Sequence, residues 1–206
     1  MPAHRLHLTT LEVAHSRTAG EIAGLVASMR PAIPALTGMT LTRRSRLVKP
    51  MISYDLSAVA VSFLPAAGEQ VLSPPPAAPS PENLGQPGPL DPGTAETDAY
   101  TYHHLRRDVF NMASESATIA SRYVVPSAHI TLGRYLTQED HETPELRERW
   151  IRAIDEINKW LEDDVWDVED GEFIGEWIVG QERGLEARCG TLWYGGGRTI
   201  MTGEGF

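Results

Sequence analysis

The sequence predicts an α+β fold of two pseudo-symmetric lobes, each an antiparallel sheet backed by helices, facing each other across a central cleft. Three observations carry this. Segments alternating at period two and segments with apolar stripes at helical spacing both occur. The order strand, amphipathic helix, two strands occurs twice. Each copy opens on a strand carrying His-x-Thr, first His7-Leu8-Thr9 and then His129-Ile130-Thr131.

The elements follow in order. Arg5 to Val13 (RLHLTTLEV) reads as a strand with Leu6, Leu8 and Thr10 on one face and His7, Thr9 and Leu11 on the other. Thr18 and Glu21 have capping-box spacing, and Ile22, Leu25, Val26 and Met29 recur helically, so a helix runs from about Ala19 toward Met29. Two strands are expected around Leu47 to Tyr54 and Ala58 to Leu64. From Pro65 to Thr97 the composition shifts to Pro, Ala, Gly and Ser, read as a long exposed loop inserted into a single domain spanning residues 1–206.

Asp98 to about Glu115 reads as a helix with Tyr102, Leu105, Val109 and Met112 along one stripe. Ala128 to Leu136 is the second motif strand. Glu145 to Leu161 is a helix with Leu146, Trp150, Ile154, Ile157 and Leu161 on one face. Phe173 to Gln181 and Leu185 to Tyr194 complete the chain as strands, joined by a hairpin at Arg183-Gly184.

The chain has 206 residues and a formal net charge of −10. That balance argues against a protein that wraps duplex DNA, where a basic surface supplies most of the affinity. Cys189 is the single cysteine, so no intrachain disulfide and no thiolate metal cluster is expected. MPAHRLHLTT has no apolar signal core, and no run approaches the ~18 apolar residues of a membrane span. The expectation is a soluble intracellular protein, cytoplasmic or nuclear.

His-x-Thr is a short motif that chance supplies readily, and the chain contains a decoy in His141-Glu142-Thr143. Asp140 and Pro144 flank it, which places it in a polar loop, with Thr143 positioned to cap the next helix. The other two copies lie in apolar alternating strands, LHLTTL and AHITLG. There His and Thr share a face, and the face opposite is apolar.

LHLTTLEV and SAHITLGRY resemble the paired motifs of the 2H phosphoesterase superfamily. This is the LigT-like group that includes RNA 2′,3′-cyclic phosphodiesterases and enzymes once named 2′-5′ RNA ligases. The family pattern is an apolar residue, His, any residue, Thr or Ser, and often another apolar residue, occurring twice. The resemblance covers most of the chain in element order but only these two stretches in motif. It implies that His7 and His129 are the catalytic pair and that Thr9 and Thr131 bind the substrate phosphate. This chain departs from the pattern in the few residues before His7, in Thr10 where an apolar residue is commoner, and in the length of its Pro-rich insertion.

The chemistry suits these residues. Hydrolysis of a cyclic phosphodiester needs a base for the attacking water and an acid for the leaving sugar oxygen, on opposite sides of phosphorus. Imidazole fills either role near neutral pH. The threonine hydroxyls can donate to non-bridging oxygens as charge builds there. The reading needs no metal and no cofactor. His103 and His104, adjacent on a helix, diverge by about 100° and cannot chelate together. The expected partner is a nucleotide or RNA terminus bearing a cyclic phosphate, with roughly 5 to 8 Å between the nearest imidazole nitrogens. Ligation at the same site, and a non-catalytic phosphate binder, are the alternatives.

Other residues offer weaker signals. Tyr135 follows the His129 face by parity and reads as a packing residue that could also line the cleft, whereas Arg134 faces the other way in a regular strand and is not assigned to phosphate. Arg43, Arg44, Arg46 and Lys49 form a basic cluster, read as a solvated edge or as contacts to RNA phosphates. Tyr100, Tyr102, His103 and His104 form an aromatic helix start that packs or stacks a base. Trp193 to Gly197 reads as a strand end and a flexible turn.

Overall fold

The computed structural model describes residues 1–72, 97–120, 127–169, 171–192 and 195–206. Most of the Pro-rich segment, and Trp193 and Tyr194, lie outside the described residues.

The fold is mixed α+β. Helix α1 (Ala19–Met29) begins at the expected capping box: Glu21 N donates to Thr18 Oγ1 at 3.3 Å, and Thr18 N donates to Glu21 Oε2 at 2.8 Å. Helix α2 (Ile33–Thr37) follows after a break at Arg30 to Ala32. Strands β1 (Arg46–Tyr54) and β2 (Ala58–Pro65) form an antiparallel hairpin. Helix α3 (Tyr102–Ser116) buries Tyr102, Leu105, Val109 and Ala113. Strand β3 (Ala128–Arg134) carries the second motif. Helix α4 (Pro144–Asp164) is capped by Thr143, whose side chain accepts from Leu146 N. Short strands β4 (Glu176–Ile178), β5 (Glu186–Cys189) and β6 (Arg198–Thr202) complete it.

The main sheet is antiparallel in the order β3-β2-β1-β4, so strands from both halves of the chain share it. The expected hairpin at Arg183-Gly184 does not form. β4 pairs with β1, whereas β5 pairs with β6 in a separate two-stranded sheet. Gly184 instead lies against the Thr37 carbonyl and Gly203, where an added Cβ would come within 2.5 Å of Thr37 O. It marks a close backbone approach.

One face of the main sheet is covered. Leu47, Phe63, Ala128 and Trp177 meet Met29, Ile33, Leu36, Leu105 and Val109 in the core. At the hairpin end, Tyr54 and Tyr135 both pack edge-on against Trp150 of α4. Asn158 of α4 accepts from Ile52 N at 2.6 Å and donates to Ile52 O at 3.0 Å, holding the helix to β1.

The N-terminal strand is shorter than its alternation predicts. Within Arg5 to Val13 only Leu8 pairs, in an isolated antiparallel bridge with Ile130, and Ala3–Arg5 is a 3-10 turn. Other groups take the carbonyls that a longer ladder would use. Tyr102 Oη donates to Thr9 O at 2.8 Å, and Arg106 Nε donates to Thr10 O at 3.3 Å. A bend at Thr10 also breaks the alternation. Leu11, expected beside His7 and Thr9, packs with Leu8 and Val13 against the core.

Candidate active site

The site is built from the sheet register upward. β2 and β3 align Phe63 with Ala128, Val61 with Ile130, Ser62 with His129, and Ala60 with Thr131. Phe63 and Ala128 point into the core, so alternation turns Ser62, His129, Ala60 and Thr131 to the opposite face. On the other side of β3, Leu8 pairs with Ile130 and packs against the same core. His7 and Thr9 therefore turn away from the core, onto the face that carries His129 and Thr131.

The bridge also constrains their relative positions. Extended by one residue each way in ideal antiparallel register, the Leu8–Ile130 bridge would set His7 opposite Thr131 and Thr9 opposite His129, although Leu8 alone is paired. In that ideal register the two histidines would be diagonal neighbours, about 7–8 Å apart between backbones. His7 is exposed; Thr9, His129 and Thr131 are half-buried.

Both imidazoles are oriented in the same manner. His7 Nδ1 lies 2.9 Å from Arg5 O, and His129 Nδ1 lies 3.3 Å from Ser127 O and 3.3 Å from Ser127 Oγ. In each case the carbonyl belongs to the residue two positions earlier. A carbonyl only accepts, so the carbonyl contacts suit a ring with its proton on Nδ1, whereas the Ser127 hydroxyl can either donate to or accept from His129 Nδ1. The Arg5 carbonyl is itself pressed by the Gly195 turn: Gly195 has φ 68°, and a Cβ there would come within 2.4 Å of Arg5 O. Only glycine allows that approach.

Two further residues lie on this face, Ser62, which no sequence signal marks, and Arg134, which unbroken alternation puts on the other face. Ser62, opposite His129, is buried, and its hydroxyl lies 2.6 Å from that of Ser53. Arg134 is the more consequential. The β2/β3 register slips between Val59 and Ala60, with Ala60 opposite Thr131 but Val59 opposite Gly133. Leu132 is the extra residue of a β-bulge, which reverses parity beyond it. Arg134, opposite Ala58, returns to the His129 face, exposed and beside Asp55. Tyr135 turns to the covered face, where its ring meets His141 at 4.8 Å and Trp150 at 5.8 Å between centroids. Tyr135 therefore packs, on the face opposite to the one that unbroken alternation gives it. Gly133 was the available signal, since a glycine within a strand often marks a bulge.

The remaining candidates have structural partners. His141 of the decoy motif is 2% exposed and stacked on Trp150, with Nε2 2.7 Å from Gln138 Oε1. The basic cluster is dispersed. Arg43 pairs with Asp108, the Arg44 guanidinium lies 3.8 Å from the Phe206 ring centroid, and Lys49 meets Asp167 at 3.4 Å. Arg46 is buried between Asp98 at 2.6 Å and Glu176 at 2.7 Å. Tyr102 is a core residue, and His104 Nδ1 accepts from Thr101 N at 3.1 Å to cap α3.

Among the described residues, no group of three or more His, Cys, Asp or Glu is placed to hold a metal ion. No described helix is long and apolar enough to cross a membrane. Comparison with protein-family models, with curated proteins and with solved structures returned no match.

Proposed function

We propose that this protein is a metal-independent phosphodiesterase that hydrolyses 2′,3′-cyclic phosphates or 2′-5′ phosphodiesters in nucleotides or at RNA ends. The observation that carries this reading is the Leu8–Ile130 bridge, which sets two distant His-x-Thr segments side by side with all four polar side chains on one face.

In this mechanism one histidine, neutral, takes a proton from water through Nε2 as the water oxygen attacks phosphorus. The other, protonated, delivers its Nε2 proton to the leaving sugar oxygen as the P–O bond breaks. Diagonal placement across one strand spacing suits two groups acting on opposite sides of a single phosphate. Thr9 and Thr131 share the face with the histidines, so each non-bridging oxygen has a nearby hydroxyl donor. Arg134, at the end of the same face, supplies a fixed positive charge for the rest of the anionic substrate.

The test is hydrolysis of 2′,3′-cyclic nucleotides and of RNA with a 2′,3′-cyclic end, by the full chain in EDTA. The reading expects turnover that survives chelation and is lost in both His7→Ala and His129→Ala. Binding without turnover would make the site a phosphate binder. Joining in preference to cleavage would make the protein a ligase.

A further inference from the structure

The catalytic reading leaves most of the chain's charge without a role. Between Asp155 and Glu172 the sequence carries nine carboxylates and one lysine, a net −8 against −10 for the whole chain. The same stretch carries an apolar surface. Ile154 and Leu161 of α4 are buried, but Ile157, Trp160, Phe173 and Ile174 are between 45% and 51% exposed. Trp160 and Phe173 meet edge to face with centroids 5.9 Å apart, so the helix and the loop beyond it present one continuous patch. Such exposure of clustered large apolar groups marks an interaction site.

The rim of the patch indicates its occupant. Glu156, Asp163 and Asp164 lie three or four positions from Trp160, and so surround it on the helix surface. Lys159, the single cation of the stretch, is held by Asp163 at 2.7 Å. Nucleic acid and anionic lipid are repelled by this rim. A second copy of the chain would set carboxylates against carboxylates. A cationic chain with apolar anchors satisfies both the patch and the rim.

We propose that the α4 surface centred on Trp160 and Phe173 docks a basic amphipathic segment of a partner protein. The segment's apolar side chains seat on the two rings, and its lysines or arginines meet Glu156 and Asp164. Because α4 packs on the covered side of the sheet, this site and the His7–His129 face can be occupied independently.

The experiment titrates the full chain with a helix-forming peptide of about 18 residues, made of Lys, Ala and Leu with leucines at i, i+3, i+4 and i+7. Tryptophan fluorescence and calorimetry are read at physiological salt. The expected result is saturable binding, weakened about tenfold or more in Trp160→Ser/Phe173→Ser. Glu156→Lys/Asp164→Lys weakens binding too and flattens its salt dependence. Phe173→Ser alone, outside any helix, serves if the double variant does not fold. Absence of binding overturns the proposal, as does binding that responds to the charge variants but not to loss of the rings. Self-association abolished by Phe173→Ser would assign the patch to a second copy. Adherence to zwitterionic vesicles abolished by the same change would assign it to lipid. Either outcome overturns the proposal.

Discussion

Leu8 and Ile130 are 122 positions apart and form an antiparallel bridge with both side chains turned to the covered face of the sheet. Neither takes part in the proposed chemistry, yet their pairing brings the two His-x-Thr segments side by side.

Loss of either motif histidine should reduce kcat by about 10²- to 10⁴-fold, because the proposed mechanism gives each one of two proton transfers. Thr131→Val should cost about 10²-fold as a lost transition-state donor. The pH–rate profile should be bell-shaped, and each single histidine variant should lose one limb. Steady-state rates on a 2′,3′-cyclic nucleotide across pH check this. Full activity in His7→Ala would remove that residue from the mechanism.

Arg134→Ala should raise KM about tenfold, equivalent to about 1.4 kcal/mol, with kcat changed much less. The effect should grow with each added phosphate on the substrate and shrink at high salt. An unchanged KM on all substrates would place Arg134 outside the site.

His141 provides the internal control. It belongs to a third His-x-Thr, but its ring is buried against Trp150. His141→Ala should destabilise the protein by about 1–3 kcal/mol in chemical denaturation. The kcat of the folded fraction should match wild type.

Arg46 is buried between two buried carboxylates and also donates to Glu69 O and Gln70 O, joining β1 and β4 to the start of the Pro-rich segment. Arg46→Met leaves Asp98 and Glu176 without their cation and should cost about 3–5 kcal/mol. Adding Asp98→Asn and Glu176→Gln should recover much of the loss. A mild effect of Arg46→Met alone in urea denaturation would show that the carboxylates find other partners.

Burial, reinforced by Asp108, pushes the Tyr100 hydroxyl up to about 12, and Tyr100 Oη donates to Asp108 Oδ2 at 3.0 Å. In the unfolded chain this group ionises near pH 10. Its contribution to stability is therefore complete below about pH 10 and is lost as pH rises through about 12. Tyr100→Phe should show a shallower alkaline decline than wild type. Ultraviolet difference titration should find one fewer late-ionising tyrosine in that variant.

How far the sequence reached differs from element to element. Helix α1 was legible because Thr18 and Glu21 are a local capping pair, and Thr143 at the start of α4 for the same reason. β1 and β2 were legible from β-branched alternation over whole strands. The face shared by His129 and Thr131 was legible because a strand alternates with period two. Tyr135 and Arg134 were assigned to the wrong faces because period two was carried past Gly133, where a bulge inserts Leu132 and reverses it. The C-terminal hairpin was misread because Arg183-Gly184 carries a turn signal, while the pairing of β4 with β1 and β5 with β6 is set by distant partners.

By itself, the sequence determined the capped helix starts and the face shared by His129 and Thr131, since capping and alternation act over a few residues. The tertiary structure alone decided that the two His-x-Thr segments lie side by side, that the Gly195 turn backs the Arg5 carbonyl, and that Arg134 joins their face. Those relations depend on strand pairing between remote segments. Backbone hydrogen bonds form between any residues that the core brings into register, and no local pattern encodes which ones those will be.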